Sequence, residues 1–160
     1  MFGEKVMSEV IKAPGRVPLD AASLFLGGSI EMGKAEDWQT SLSKTLEDVP
    51  VVILNPRRDD WDSSWEQDFK NPQFREQVEW ELAAQEYADL RVYYFSPGTQ
   101  SPITLLELGA FKDKECIVCC PEGYWRKGNV DILCKRYGIP MCRDLDTLAV
   151  LVSRWFLGED

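Results

Sequence analysis

Histidine is absent from this chain of 160 residues. Its absence excludes His-dependent catalytic triads, the usual proton shuttle near neutral pH and the commonest transition-metal ligand. Basic residues are also scarce, because 18 Lys and Arg stand against 27 Asp and Glu, and the formal net charge is -9. Binding a nucleic-acid polymer depends on neutralising its phosphates, so this composition argues against such a partner. We expect carboxylates to carry any acid-base chemistry.

Long apolar runs are missing as well. The longest, such as residues 24–26 and 116–120, are far shorter than the roughly 20 residues that a membrane-spanning helix needs. The first twenty residues mix charges with two prolines and lack the apolar core of a secretory signal. We therefore expect a cytosolic chain that forms one globular domain over residues 1–160, with residues 1–22 as an N-terminal extension.

The five cysteines are an odd number clustered in the C-terminal third. The spacing of Cys116 and Cys119 fits a zinc or redox motif in principle. However, residues 115–120 have the pattern of a buried strand, in which side chains three apart point to opposite faces and cannot share one ion. We expect free, buried thiols in a cytosolic setting and keep the metal interpretation as the alternative.

Short apolar runs closed by Gly or Pro alternate along the chain with segments of helical periodicity. The predicted strands are residues 23–26, 49–54, 91–95, 116–120 and 140–142, and the predicted helices are residues 38–46, 74–87, 103–112, 129–137 and 147–156. This alternation requires parallel pairing with crossover helices. The sequence thus predicts an α/β fold, a five-stranded parallel doubly wound sheet in a flavodoxin-like or Rossmann-like three-layer sandwich.

Ligands of such sheets bind at the carboxyl ends of the strands, which selects the loops that follow them. The loop at 27–33 is rich in glycine, which allows close approach of a ligand, although it lacks the spacing of a dinucleotide site or a P-loop. A tight turn without a ligand is the alternative there. The loop at 55–71 is long for this fold and contains Trp61 and Trp65, so we interpret it as a lid or binding loop.

Two glutamates in predicted helices are candidate catalytic groups. Glu107 lies among leucines, alanine and phenylalanine, where an ionisable group is costly unless it is paired or used. The alternative is a carboxylate that reaches solvent at the helix edge. Glu81 adjoins the buried side of the preceding helix, next to Trp80 and one turn after Gln77, although a solvated acidic face also explains this helix.

Several of these segments together resemble the nucleoside 2-deoxyribosyltransferase superfamily, which includes the 2-deoxynucleoside 5-phosphate N-hydrolases. The resemblance rests on residues 27–30, on Ala88-Asp89, and on Ser101 followed at the usual spacing by Glu107-Leu108-Gly109, and it covers about residues 23–145. Residues 55–61, 102–109 and 124–129 are similar to one transferase-like branch.

The resemblance implies a retaining double displacement at C1 of a 2-deoxyribose without a metal or cofactor. Glu107 would be the nucleophile, and Glu81 would orient the sugar or move the proton of the base. Asn129 matches an asparagine that reaches the sugar of a neighbouring subunit, which implies a homo-oligomer, at least a dimer, with shared active sites. We assign substrate binding to Gly28, Ser29, Ile30, Asp60, Trp61, Ser101 and Asn129.

Two positions depart from the family pattern. Phe25 replaces a tyrosine that contacts the nucleophile, so Tyr93 or Tyr94 would have to orient Glu107. Ser101 replaces an aspartate found in the transferases and matches the phosphate-binding hydrolases, but Pro102 removes one N–H donor from the start of that helix.

The expected function is therefore base exchange on free 2-deoxyribonucleosides, with free nucleobases as the second substrate. In this interpretation Trp61 stacks on the base and Asp60 bonds to it, although the tryptophans could instead only pack within the lid. The alternatives are hydrolysis of 2-deoxynucleoside 5-monophosphates and a catalytically silent nucleotide-binding module.

Overall fold

The computed structural model describes residues 6–29 and 36–158. Its centre is a parallel six-stranded sheet with the strand order β1-β3-β2-β4-β5-β6. The strands are β1 (Glu9–Lys12), β2 (Ser23–Gly28), β3 (Val52–Asn55), β4 (Leu90–Tyr94), β5 (Cys116–Cys119) and β6 (Met141–Cys142). The helices are α1 (Trp38–Thr45), α2 (Pro72–Tyr87), α3 (Pro102–Phe111), α4 (Lys127–Tyr137) and α5 (Leu145–Leu157).

Two apolar clusters cover the two faces of the sheet. One contains the buried side chains of α1 and α5, and the other contains those of α2, α3 and α4. This division follows from the strand order. The chain moves toward one edge of the sheet from β2 to β3 and toward the opposite edge after β3, so right-handed crossovers place their helices on opposite faces. The doubly wound α/β fold is confirmed, and α2 and α3 are brought to the same face.

The sixth strand is a difference from the predicted five. It is β1, which lies within the N-terminal segment and pairs in parallel with β3 at one edge of the sheet. Its side chains are mostly exposed, and its ends are Glu9 and Lys12, so it lacks the apolar run by which the other strands were found. Edge strands commonly carry charge, which reduces their pairing with other chains.

All five cysteines are buried and free of disulfide bonds. Cys116 lies in the cluster beneath α3, whereas Cys119 lies in the cluster on the opposite face. The two side chains of the Cys-x-x-Cys spacing therefore point away from each other, as expected for a strand. Within the described residues, no helix has both the length and the apolar character to cross a membrane.

Candidate active site

Glu107 faces the sheet from the second turn of α3, which starts beyond the carboxyl end of β4. Its side chain is buried, with 6% of the residue exposed, and its Oε2 accepts a hydrogen bond of 2.6 Å from Nε2 of Gln85 on α2. Burial raises the pKa of Glu107 from the ordinary 4.5 to about 7, and the hydrogen bond from Gln85 acts to lower it. Near neutral pH this carboxyl therefore exists in both its protonated and its ionised form. Its burial contradicts the alternative of a carboxylate that reaches solvent at the helix edge.

Glu81 forms a pair with Glu107 from the neighbouring helix α2. Its pKa is raised well above the ordinary range, first by burial and then by the charge of Glu107, while a hydrogen bond from Gln77 acts in the opposite direction. The residue as a whole is half-buried. Two carboxyl groups that share a low-dielectric site lose their protons in separate steps, so one can be ionised while the other remains protonated.

Gln85 connects Glu107 to Tyr93, one of the two tyrosines that the sequence offered as orienting groups. The Tyr93 hydroxyl donates to Oε1 of Gln85 over 2.7 Å and is not itself bonded to Glu107. Tyr94 packs against Trp38 on the opposite face of the sheet, with ring centroids 5.0 Å apart. Sequence reasoning missed Gln85, although its position one turn after Glu81 placed it on the same side of the helix.

Three hydroxyl groups meet where β2 ends and α3 begins. Ser29 Oγ and Thr99 Oγ1 lie 2.9 Å apart, Thr99 Oγ1 and Ser101 Oγ lie 2.7 Å apart, and Ser29 and Ser101 also share a hydrogen bond. Ser101 is the N-cap residue of α3, but its backbone is left-handed and its side chain makes no capping bond. This cluster unites two predicted binding residues and adds Thr99, which was missed. Ile30 lies outside the described residues.

The two glycines at the end of β2 are explained by packing inside the protein. A Cβ on Gly27 would lie 2.6 Å from Cδ1 of Tyr93. A Cβ on Gly28 would lie 2.8 Å from the Tyr94 carbonyl oxygen and would also overlap the ring of Trp38. The sequence interpretation explained these glycines by the approach of a ligand or by a tight turn, and the structure supplies a further reason, which is packing inside the protein.

Arg58 organises the long loop between β3 and α2. The exposed fraction of its side chain is 7%, and its guanidinium binds Asp60 through Nε and Nη2 and Glu76 through Nη1. The guanidinium also lies 5.1 Å from the centre of the Trp65 ring, which in turn packs edge-to-face on Trp61. The hydrogen bond from Arg58 lowers the pKa of Asp60.

Asp60 and Trp61, the two predicted base-binding residues of this loop, thus have partners within the loop. This arrangement is what the alternative for the tryptophans describes, in which they only pack within the lid. The Asp60 side chain is 68% exposed, so its oxygens also remain accessible to a ligand. Trp61 is half-buried.

Asn129 is exposed in the first turn of α4, on the same face of the sheet as Glu107.

The part of the chain that holds this carboxyl pair matches a known family. Residues 21–124 match the family described as nucleoside 2-deoxyribosyltransferase like, and this segment contains Glu81, Gln85 and Glu107. Asn129 follows the matched segment. A search of curated proteins gave no match to the chain.

Proposed function

The chain belongs to the nucleoside 2-deoxyribosyltransferase-like family, and from this premise we propose that it exchanges the base of 2-deoxyribonucleosides through a covalent intermediate on Glu107. The observation that carries the proposal is the buried carboxyl of Glu107, which receives a hydrogen bond from Gln85 and whose pKa of about 7 leaves it partly ionised at neutral pH. A carboxylate in apolar surroundings is poorly solvated and therefore reactive toward an electrophilic carbon.

In the first half-reaction, a Glu107 carboxylate oxygen attacks C1 of the sugar. The bond between C1 and the base nitrogen breaks, its electron pair stays with the departing base, and an ester joins the sugar to Glu107. A nitrogen of the second base then attacks C1 from the opposite face and releases the Glu107 carboxylate. Two inversions give net retention of configuration at C1.

Glu81 supplies the proton that the departing base requires. Its pKa is raised by burial and by the negative charge of Glu107, so it retains its proton under conditions in which Glu107 has lost one. This separation of two carboxyl groups into a nucleophile and an acid is the division of roles that environment imposes on paired acids in other glycosyl-transferring sites. The incoming base returns a proton to Glu81 in the second half-reaction.

Self-association is part of the proposal. The outward side of α3, on the helix that carries Glu107, is apolar over its whole length, with Ile103 58% and Leu106 67% exposed. A helix that is apolar on all sides is normally buried on all sides, which supports contact with a second copy. Sedimentation equilibrium should then give at least a dimer, and Leu106→Glu should reduce the mass, whereas Val150→Glu on the far face of the sheet should not.

The exchange reaction is tested by incubating the protein with deoxyinosine and adenine and separating the products by chromatography. Deoxyadenosine together with hypoxanthine is the expected result. Glu107→Ala should abolish the exchange while the circular dichroism spectrum and the number of subunits in the assembly remain unchanged. Free deoxyribose formed equally with and without adenine would instead indicate a hydrolase. Binding without any product would indicate a silent module and would refute the proposal.

The hydrolysis of 2-deoxynucleoside 5-monophosphates is a second candidate, favoured by the hydroxyl cluster of Ser29, Thr99 and Ser101. Hydroxyl donors beside the first turn of α3 are suited to a phosphate, because the unpaired N–H groups and dipole of a helix start favour negative charge. Deoxynucleoside and 5-monophosphate should be compared at equal concentration with the wild type and with Ser101→Ala. A preference for the monophosphate that Ser101→Ala removes would replace base exchange with this reaction.

A further inference from the structure

The side-chain amide of Gln85 is fully hydrogen-bonded inside the protein. Its Nε2 donates to Oε2 of Glu107 over 2.6 Å and to the backbone oxygen of Glu81 over 3.0 Å, and its Oε1 accepts from the Tyr93 hydroxyl over 2.7 Å. Gln85 and Tyr93 are completely buried. Both N–H donors of this amide and its oxygen are therefore bonded to groups of the protein itself.

These partners fix which end of the amide faces Glu107. The backbone oxygen of Glu81 can only accept a hydrogen bond, so the NH₂ group must lie on that side. The Tyr93 hydroxyl then meets the amide oxygen and donates to it. A flipped amide would direct its oxygen at two acceptors, and the carboxylate of Glu107 would lose its donor.

The backbone around Gln85 is held as firmly as its side chain. The buried guanidinium of Arg91 donates through Nη1 to the Gln85 carbonyl over 2.5 Å and to the Ala88 carbonyl over 2.7 Å. These bonds close the last turn of α2 against β4, the strand that also carries Tyr93. The donor that meets Glu107 is thus attached to both α2 and the central sheet.

We propose that Gln85, locked by Tyr93, is the positioning residue that holds the Oε2 oxygen of the nucleophile Glu107 and leaves its Oε1 oxygen to form the bond to C1. This inference rests on the proposed function and deepens it. Among the described residues, the bond from Gln85 goes to Oε2 of Glu107, and Oε1 accepts no hydrogen bond. Gln85 acts through Glu107 and does not itself touch the substrate.

The hydrogen bond has a defined electrostatic effect on Glu107. The charged and titratable groups around it are Glu81 on α2 and Tyr93 on β4, and Tyr93 in turn interacts with Cys116 on β5 and Arg91 on β4. Burial raises the pKa of Glu107, and Gln85 is the group that opposes this rise. Removing the amide should therefore raise the pKa of Glu107 further and leave less of the nucleophile ionised at neutral pH.

The test uses Gln85→Met, which keeps the length and most of the volume of the side chain but has no amide. Tyr93→Phe is the second variant, because it keeps the ring and removes one of the bonds that hold the amide in its orientation. Tyr124→Phe is the matched control: Tyr124 is also buried, and its hydroxyl bonds to the backbone oxygen of Gln100, away from Glu107. The carboxyl pKa values are measured by NMR on protein labelled with 13C-glutamate, without substrate, and pH profiles of kcat and KM are recorded in parallel.

We expect Gln85→Met to raise the pKa of Glu107, to move the acidic limb of the kcat profile to higher pH, and to lower kcat at least tenfold at neutral pH with little change in KM. Tyr93→Phe should act in the same direction but less strongly, and it carries the test if Gln85→Met does not fold. Tyr124→Phe should leave the pKa of Glu107 unchanged.

An unchanged pKa and an unchanged acidic limb in folded Gln85→Met or Tyr93→Phe would overturn the inference. The NMR measurement separates this failure from failure of the proposed function. The pKa of Glu107 can rise in the variants as expected while the wild type neither transfers nor hydrolyses a deoxyribosyl group. In that case the hydrogen bonds from Tyr93 through Gln85 to Glu107 exist, and the proposed function is wrong.

Discussion

Replacing Glu107 by glutamine should stabilise the protein at neutral pH while abolishing its chemistry. The carboxyl is buried, and its pKa in the folded protein is about 7 against an ordinary 4.5. Above pH 7 the folded protein must hold a buried negative charge that the unfolded chain exposes to water. Glutamine has nearly the same shape, carries no charge, and retains an oxygen that accepts the hydrogen bond from Gln85.

The sign follows from proton binding. Between pH 4.5 and 7 the folded wild type binds this proton more tightly than the unfolded chain, so its free energy of unfolding falls as the pH rises. At about 1.4 kcal/mol for each pH unit, the advantage of Glu107→Gln should be about 1 kcal/mol at pH 5 and about 3 kcal/mol at pH 8. Glu81 titrates together with Glu107, so the measured curve reports the pair.

The assay is urea unfolding followed by tryptophan fluorescence at fixed protein concentration across pH 5 to 8. Glu86→Gln is the control, because Glu86 is an exposed glutamate on the same helix as Glu81, and its replacement should change the free energy of unfolding little at any pH. An advantage of Glu107→Gln that does not grow with pH, or a variant less stable than the wild type at pH 8, would refute the burial of an ionisable carboxyl at this position.

Three further predictions concern the pH profile, the sheet and the loop. The wild-type kcat/KM should rise with pH through about 7 as Glu107 ionises and fall at higher pH as Glu81 loses its proton, whereas a flat profile would contradict their roles. Gly28→Ala should lower the free energy of unfolding by about 1 to 3 kcal/mol in denaturant titrations, because the methyl group overlaps Trp38, while Gly109→Ala, with open space, should not. Arg58→Ala should speed amide hydrogen exchange in residues 56–71 and raise KM for the nucleoside; exchange at the wild-type rate would contradict its role in ordering the loop.

Local sequence signals were sufficient to predict most of the sheet. The central strands are apolar on both faces and end at Gly or Pro, and each crossover helix has an apolar face at helical spacing, so both element type and parallel pairing followed from periodicity. The edge strand β1 was missed because only one side of it contacts the sheet and its side chains are largely exposed. Such a strand is specified by its pairing with β3, which the local pattern does not contain.

The candidate site was predicted only in part, for a similar reason. A carboxyl among leucines is visible in the sequence, and so Glu107 was found. Gln85 and Arg91 act through hydrogen bonds that join α2 to α3 and to β4, and no local sequence pattern encodes such contacts. One local signal was available for Arg91, a charged residue near the start of an otherwise apolar strand, since a buried cation requires nearby acceptors.

The loop illustrates the opposite case, in which the sequence pointed to the right segment but not to its internal contacts. The length of the segment between β3 and α2 and its two tryptophans identified residues 55–71 as a candidate lid. The bidentate contact between Arg58 and Asp60 depends on a guanidinium that is held beneath the loop by Glu76 and Trp65. Which of several acidic residues would pair with which arginine is a tertiary property that composition does not determine.

The most direct test of the account is to trap the sugar on the enzyme. A 2-deoxy-2-fluoronucleoside carries an electron-withdrawing substituent that slows the formation and breakdown of a glycosyl ester, so incubation followed by peptide mass spectrometry should locate the added sugar. The account predicts one adduct, on the peptide that contains Glu107, and none in Glu107→Gln. An adduct on Glu81 or on any other residue, or turnover of the natural nucleoside by Glu107→Gln at the wild-type rate, would contradict it.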